Sequence, residues 1–302
     1  MIHHHLSWLE AGVIGALQGV SELFPVSSLG HSVLVPALVG GSWARDLNVS
    51  TSESPYLAFI VGLHVTTAIA LIVYFWRDWV RIIAGLATSI VRREVRTSDQ
   101  RLAWLLVLAT IPVGLVGLVA EHWFRTTLAK PLPTAAFLAV NGLVLLLAEQ
   151  LRRRDKSVDS TYVDERITGP ESDQRVAAQP TAQAVLIGSA QILALAPGLS
   201  RSGITMVTGM LRGLSREDAA RFSFLLATPV ILAAGALKVG DLFGPLGDGI
   251  RGQVLFASVL SGVGAYLAVR FLTRYLANRS LRPFGVYCLV AGVASFIVLA
   301  LR

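Results

Sequence analysis

The chain has 302 residues, of which 54% are hydrophobic and only 15% are charged, and its mean hydropathy is +0.63. Soluble globular domains carry about 25% charged residues, so this composition excludes that class and indicates a membrane protein. The net charge of +7 does not indicate nucleic-acid binding. The basic residues flank apolar runs. In that position they act as topology signals and contact anionic lipid headgroups, so nucleic acid is not needed to explain them.

Six apolar runs are long enough to cross a bilayer as helices. They cover about residues 56–76, 102–120, 134–149, 219–238, 254–273 and 284–301. Two further apolar stretches, about 8–41 and 183–213, are each interrupted near the middle by Pro, Gly and polar residues. Their halves of roughly 11–18 residues are short for a full span, so we predict two re-entrant helical hairpins. A pair of kinked transmembrane helices is the alternative.

The two interrupted stretches resemble each other, and each is followed by three spanning runs. Gln18 precedes Pro25 and a serine pair, and Gln191 precedes Pro197 and further serines. We therefore predict an all-α integral membrane protein with an inverted-topology repeat, whose two hairpins enter from opposite faces and meet near the midplane. The predicted divisions are a first repeat over 1–149, a polar, solvated cytoplasmic linker over 150–182 and a second repeat over 183–302.

Arginine and lysine are concentrated in alternate segments between the spanning runs. These residues are Arg77, Arg81, Arg92, Arg93, Arg96, Arg101, Arg152, Arg153, Arg154, Lys156, Arg166, Arg175, Arg212, Arg216, Arg274, Arg279 and Arg282. The positive-inside rule places these segments, predicted as loops, in the cytoplasm, and both termini on the other side.

Polar residues in the first interrupted stretch form one half of a candidate site, because such groups are costly in a membrane without partners or water. Gln18 and Glu22 share a helix face at a spacing of four residues. Ser27, Ser28 and His31 follow at the break. A carboxylate, two hydroxyls and an imidazole on a tight turn suit nucleophilic or metal-assisted transfer at phosphorus.

The second interrupted stretch supplies the complementary, cationic half. Gly198, Ser200, Arg201, Ser202 and Thr205 lie where a helix is predicted to begin. Exposed N–H groups, hydroxyls and a guanidinium at a helix N-terminus form an anion site of the kind that phosphate needs. A structural ion pair between Arg201 and the carboxylate of the first stretch is the alternative.

Two other residues lie inside predicted spans. His64 is open to two interpretations, as a site residue or as a hydrogen-bonded packing residue. Cys288 is the one cysteine of the sequence and is expected to pack as a small apolar side chain.

Three motifs in this order carry a resemblance to a known family. They are Gln18-Gly-Val-Ser-Glu22, Pro25-Val-Ser-Ser-Leu-Gly-His31 and Pro197-Gly-Leu-Ser-Arg-Ser-Gly-Ile-Thr205. The chain resembles, over essentially its full length, the undecaprenyl-diphosphatase family of the bacitracin-resistance type. The resemblance implies hydrolysis of a polyprenyl diphosphate lipid, undecaprenyl diphosphate, to undecaprenyl phosphate and inorganic phosphate, with a divalent cation, Mg²⁺ or Ca²⁺. It implies an enzyme of the bacterial plasma membrane that recycles the lipid carrier for cell-wall synthesis, confers bacitracin resistance and opens its active site to the extracytoplasmic side. A homodimer is compatible with it.

The resemblance also implies roles for the site residues. Glu22 is a metal ligand or proton acceptor, Ser28 the nucleophile, and His31 the residue that activates or supplements it. Arg201 holds the diphosphate. Further substrate contacts are expected from Gln18, Ser27, Gly198, Ser200, Ser202 and Thr205. The Gln at position 18 halves the local carboxylate charge and leaves Glu22 as the main anionic ligand. The functional alternative is a transporter or flippase for a lipid phosphate or small anion, because broken helices in inverted repeats also describe transporters.

Overall fold

The computed structural model describes residues 6–48, 55–154, 169–238, 240, 244 and 247–302, and the regular elements in these ranges are all helical. In chain order the α-helices are α1 Trp8–Ser21, α2 Ser28–Val39, α3 Gly41–Asp46, α4 Pro55–Tyr74, α5 Trp76–Arg92, α6 Ser98–Trp123, α7 Pro131–Arg154, α8 Gly169–Ala177, α9 Thr181–Ser189, α10 Arg201–Leu211, α11 Arg216–Lys238, α12 Arg251–Asn278 and α13 Arg282–Ala300. A π-helical turn at Phe124–Leu128 precedes α7, and a 3₁₀ turn at Ala190–Leu195 extends α9.

Five of these helices, α6, α7, α11, α12 and α13, are long and apolar enough to cross a membrane. The bent pair α4–α5 supplies a sixth span if it counts as one. The twenty residues of α4 rise about 30 Å at 1.5 Å per residue, which matches the hydrocarbon core of a bilayer. All six predicted spanning runs fall on these helices, which confirms an all-α, multi-pass membrane protein.

Helix α5 corrects the prediction of a loop after the first span. Its seventeen residues bend away from α4 by 87°. Trp76, Val80, Ile83 and Ile90 are exposed and recur at helical spacing along one side of it. A helix perpendicular to a spanning helix, with an exposed apolar stripe and arginines on its other side, is typical of one that lies along the membrane surface. Three of the basic residues that suggested a loop, Arg77, Arg81 and Arg92, lie on the other side of this helix.

The two interrupted stretches each form a pair of short helices separated by a break. Helices α1 and α2 have 14 and 12 residues, and α10 has 11, so each rises about 21 Å or less and is too short to span. The first break is Glu22–Ser27, and the second runs from Ala196 to Ser200. In each pair the two helices contact one another, as expected for re-entrant hairpins.

Close helix packing connects the first half of the chain to the second. A Cβ added at Gly15 of α1 would lie 2.8 Å from the Ala257 Cα of α12. A Cβ at Gly142 of α7 would lie 2.5 Å from the Leu289 N of α13. Because lipid offers no hydrophobic force between helices, small residues that let backbones touch are the means of association. The two halves therefore share one core rather than forming separate domains.

Part of the segment predicted as a solvated linker forms a packed helix. Residues 155–168 lie outside the described residues, whereas α8 packs against α6 and α11 and buries Ser172 and Asp173. Asp173 accepts hydrogen bonds from Arg81 of α5 at 2.7 Å and from Arg221 of α11 at 2.7 Å. A buried carboxylate held by two arginines explains why this part of the segment is a packed helix instead of solvated chain.

Candidate active site

The break of the first hairpin gathers a carboxylate, an amide and a hydroxyl. Glu22 is the C-cap residue of α1, and Gln18 lies one turn earlier on the same face. Ser28 is the first residue of α2. The Glu22 Oε2 atom accepts hydrogen bonds from Gln18 Nε2 at 2.8 Å and from Ser28 Oγ at 2.5 Å, and all three side chains are buried. The Ser28 hydroxyl thus points its proton at a carboxylate.

Ser27 holds the turn in an unusual conformation. Its φ of 67° lies in the left-handed region, which a residue with a Cβ rarely adopts. The Ser27 Oγ caps α2 by accepting from Gly30 N at 3.2 Å and also accepts from Gly198 N of the second hairpin at 3.2 Å. Backbone strain of this kind costs on the order of 1–3 kcal/mol and persists only where the surroundings impose it, as at active sites.

The break of the second hairpin brings Arg201 to the first. Gly198 turns the chain with a φ of 105°, and a Cβ there would lie 2.8 Å from Leu138 N. Ser200 then caps α10 by accepting from Gly203 N at 3.2 Å, and Arg201 is the first residue of the helix. The Arg201 guanidinium forms an ion pair with Glu22 Oε1. The two hairpin tips therefore meet, as the sequence predicts.

The two tips present helix N-termini to the same place. Ser28 begins α2 and Arg201 begins α10, and both side chains contact Glu22. Each helix start leaves N–H groups without intrahelical partners and carries a partial positive charge. Two such starts beside a guanidinium form a site suited to a phosphate group.

His64 contacts the carboxylate of this site and is also hydrogen-bonded within its own helix, so the structure combines the two interpretations left by the sequence. It lies on α4, and its Nε2 is 3.2 Å from Glu22 Oε2. Its Nδ1 donates to the Ile60 carbonyl at 2.8 Å. Both ring nitrogens thus face acceptors, an arrangement that suits the protonated imidazolium. The available signal was an ionisable residue in the middle of an apolar span.

His31 lies beside the site with other partners. Its Nδ1 is 2.7 Å from the Ser27 carbonyl, and its Nε2 is 2.7 Å from the Tyr287 hydroxyl, whose ring stacks on the imidazole. Because a carbonyl can only accept, the proton is on Nδ1 and the Tyr287 hydroxyl donates to Nε2. Glu22, not His31, is therefore the acceptor for the Ser28 hydroxyl in this arrangement.

The remaining hydroxyls of the second tip are engaged within the protein. Ser202 Oγ donates to the Phe24 carbonyl at 3.2 Å and lies 3.1 Å from Ser200 Oγ. Thr205 Oγ1 donates to the Arg201 carbonyl of its own helix at 2.7 Å and is 1% exposed. These residues hold the tip in shape, whereas Arg201 is the group that reaches Glu22.

Asn141 is a positioning residue that no motif contained. Its Nδ2 donates to the Pro25 carbonyl at 2.9 Å, and its Oδ1 accepts from Ser200 N at 3.0 Å. One fully buried amide on α7 thus holds both hairpin tips. Its Nδ2 also lies 3.4 Å from the Cys288 thiol, which is buried and free. A single amide in the apolar run 134–149 was the only sequence signal.

The donor set at Glu22 fits a divalent cation only in part. Gln18 Oε1 is buried beside the carboxylate and has no hydrogen-bond partner. Amide and carboxylate oxygens are the ligands that Mg²⁺ and Ca²⁺ prefer. In the described ranges, however, no group of three His, Cys, Asp or Glu side chains is placed to hold a metal. These residues fit a cation that takes most of its ligands from phosphate and water.

Comparisons with known proteins identify the family of this chain. The family profile described as "Bacitracin resistance protein BacA" matches residues 11–294. The "Undecaprenyl-diphosphatase" of Mycolicibacterium paratuberculosis is 65% identical, with 99% of each chain covered. The "Undecaprenyl-diphosphatase 1" of Frankia casuarinae is 51% identical, with 95% of this chain and 96% of that protein covered. The chain therefore belongs to the bacitracin resistance protein BacA family.

Proposed function

We propose that this protein is a membrane-embedded phosphatase that hydrolyses undecaprenyl diphosphate to undecaprenyl phosphate and inorganic phosphate. The names of its relatives supply the substrate. The observation that carries the proposal is the meeting of Ser28, Glu22 and Arg201 at two converging helix N-termini. The proposal is supported by the nearness of a hydroxyl, a carboxylate that can accept its proton and a guanidinium that can bind phosphate.

Substrate binding exchanges one anionic partner of Arg201 for another. At rest Arg201 pairs with Glu22, and its side chain is 19% exposed. A diphosphate at the tips is a second anion for the guanidinium, and the N–H groups at the starts of α2 and α10 add donors. Glu22 keeps its contacts with Gln18, Ser28 and His64, so the carboxylate stays in place.

The chemical step follows from the hydrogen bond between Ser28 and Glu22. The Ser28 Oγ attacks the terminal phosphorus, and its proton passes to Glu22 Oε2. The new bond joins Oγ to phosphorus, and the bond that breaks joins phosphorus to the oxygen of undecaprenyl phosphate, which leaves. Water then hydrolyses the phosphoserine and releases inorganic phosphate. Direct attack by water with Glu22 as base is the competing mechanism, and it requires no phosphoserine.

Charge arithmetic supports a divalent cation. Arg201 and Glu22 cancel one another, so even with His64 protonated the site brings a single positive charge to the several negative charges of an incoming diphosphate. We propose that Gln18 and Glu22 hold Mg²⁺ or Ca²⁺ together with the substrate. The cation, when bound, supplies positive charge to the phosphoryl oxygens, where phosphoryl transfer needs it.

We place the enzyme in the bacterial plasma membrane with the site open to the extracytoplasmic side. Arg81 of α5, Asp173 of α8 and Arg221 of α11 contact one another, so these basic helix ends lie at the same end of the bundle. The positive-inside rule makes that end cytoplasmic. The opposite, extracytoplasmic surface is where we propose that the substrate enters the site. The expected cellular consequences are recycling of the lipid carrier for cell-wall synthesis and resistance to bacitracin.

The test is phosphate release from undecaprenyl diphosphate by detergent-purified protein, with and without EDTA. Ser28→Ala and Arg201→Lys are compared with the matched control Ser189→Ala. The Ser189 hydroxyl donates only to its own helix at Val185 O, 2.7 Å away. We expect the first two variants to lose about 10²-fold or more of activity and the control to keep it.

Three outcomes decide between covalent catalysis, direct attack by water and transport. Trapped phosphoserine at position 28 supports covalent catalysis, whereas full activity of folded Ser28→Ala refutes it. No phosphate release from folded wild-type protein would refute the phosphatase and favour transport of a lipid phosphate.

A further inference from the structure

A second basic region lies away from the hairpin tips, where α5 meets α12. The Tyr74 hydroxyl at the end of α4 is 2.9 Å from Thr273 Oγ1, which fixes the start of α5 against the last turns of α12. A cavity of about 650 Å³ opens there, with Arg77 of α5 and Arg274 of α12 in its lining. A cavity of this size accommodates a small polar ligand or a lipid headgroup.

Neither of these two arginines makes an ion pair with any residue that the structure describes. The inner wall of the cavity differs, because Asp78 there is bound by both Arg81 and Arg221. Glu217 also lines that wall, beside Arg221. Arg77 rests over the ring of exposed Trp76 at 5.3 Å. The uncompensated positive charge is therefore carried by Arg77 and Arg274, on the two helices that flank the cavity.

The cavity continues along α12 through Arg274, which also lines a groove of about 630 Å³. That groove adds Arg270 and Arg279, again without carboxylate partners among the described residues, and the exposed apolar side chains Leu267 and Phe271. The 28 residues of α12 rise about 42 Å, so its last turns extend past the hydrocarbon core to headgroup level. The arginines at headgroup level and the apolar side chains nearer the hydrocarbon core are complementary to the phosphate group and an acyl chain of a phospholipid.

We propose that the cleft between α5 and α12 binds an anionic phospholipid of the cytoplasmic leaflet. Its phosphate lies with Arg77 and Arg274, and one acyl chain lies along Leu267 and Phe271. The cytoplasmic leaflet is the one rich in anionic lipid and the one that the basic helix ends face. The surface-lying helix α5 brings Trp76 to the same depth, since tryptophan favours the interface. This site is independent of the phosphatase reaction.

Tryptophan quenching by brominated lipid tests the site directly. The full-length protein is reconstituted in nanodiscs that contain bromine-labelled phosphatidylglycerol or phosphatidylcholine with identical acyl chains. The signal of Trp76 is the difference between each protein and the same protein with Trp76→Phe. Arg77→Ala/Arg274→Ala is compared with wild type and with the matched control Arg45→Ala, an exposed arginine on α3.

We expect phosphatidylglycerol to quench Trp76 at lower mole fraction than phosphatidylcholine does, in wild type and in the Arg45 control. Each arginine near the surface is worth about a fivefold change in affinity, so the double alanine variant should lose most of this preference. The variant Arg77→Lys/Arg274→Lys, which keeps the charge, should retain it and so exclude misfolding as the cause.

Three results would overturn the proposal. Equal quenching by the two lipids in wild type would mean that only apolar contact holds them. An unchanged preference in the double alanine variant would place the lipid elsewhere. Loss of the preference on adding millimolar inorganic phosphate, at constant ionic strength, would make the cleft a site for the free anion.

Discussion

The substitution Glu22→Gln tests the centre of the site with almost no change in volume. Glu22 Oε2 accepts the Ser28 proton, and Oε1 pairs with Arg201. The amide cannot take a proton at neutral pH. Loss of a general base typically costs 10²–10⁴-fold in rate, or about 2.7–5.4 kcal/mol. We therefore expect kcat for undecaprenyl diphosphate to fall by about that factor.

The same change also disturbs a buried ion pair, and this effect must be separated from catalysis. Leaving one charge of a fully buried pair without its partner costs about 3–5 kcal/mol. The Arg201 side chain is 19% exposed, so the loss of stability should lie below that range. The matched control is Glu149→Gln at the end of α7. Glu149 is fully buried. Its carboxylate accepts two hydrogen bonds from the Arg216 guanidinium, at 2.8 and 2.9 Å, and one from Leu281 N at 3.0 Å.

The assay is phosphate release by both variants, with thermal unfolding followed in the same detergent. Glu149→Gln should lower the melting temperature but keep kcat, because Glu149 lies outside the hairpin tips. Glu22→Gln should lose kcat at temperatures where it remains folded. If folded Glu22→Gln keeps activity within about threefold of wild type, the proton-acceptor role is refuted. If Glu149→Gln loses activity equally, the loss reflects destabilisation.

Three further predictions address the surroundings of the site. Tyr287→Phe removes the hydroxyl that contacts His31. We expect kcat to fall about three- to tenfold and the pH dependence of kcat to change. An unchanged pH dependence would exclude a role for Tyr287 in positioning His31. Asn141→Ala removes the amide that holds both hairpin tips. Each buried group left unpaired costs about 1–3 kcal/mol, so the melting temperature should drop by several degrees. A melting curve like that of wild type would contradict this. Asp173→Asn weakens the network around α8 and should lower thermal stability with kcat intact. The exposed pair partner Asp248 provides the control, since Asp248→Asn should change neither; equal effects of the two would refute a structural role for α8.

The sequence predicts the spans and the motif residues because each has a local signal. Long apolar runs fix the helices, and polar residues within broken apolar stretches identify Glu22, Ser28 and Arg201. Tyr287 and Asn141 lack such a signal, since one tyrosine or one amide in a spanning run has many ordinary explanations. Their roles depend on which helices pack together, and that follows from contacts between distant parts of the chain.

Helices α5 and α8 escaped prediction for a related reason. Both contain several charged residues. By composition alone such a segment is interpreted as a loop, whereas at 3.6 residues per turn its charged residues can fall on one face of a helix. For α8 the deciding contact is Asp173 with Arg81 and Arg221, residues 92 and 48 positions away along the chain. Electrostatic partners at that separation are beyond any local reading of the sequence.

The site needs both halves of the chain. The first hairpin holds Ser28 and Glu22 but no permanent cation, and the second holds Arg201 but no carboxylate. The second half alone would bury Arg201 without a carboxylate, which a membrane interior penalises by several kcal/mol, and the first half alone would leave Glu22 with His64 as its one cationic partner among the described residues. Pairing the tips satisfies both charges at rest and leaves Glu22 fixed by donors from α1, α2, α4 and α10. The ion pair that the sequence analysis gave as a structural alternative thus also holds the proposed catalytic groups in place before substrate binds.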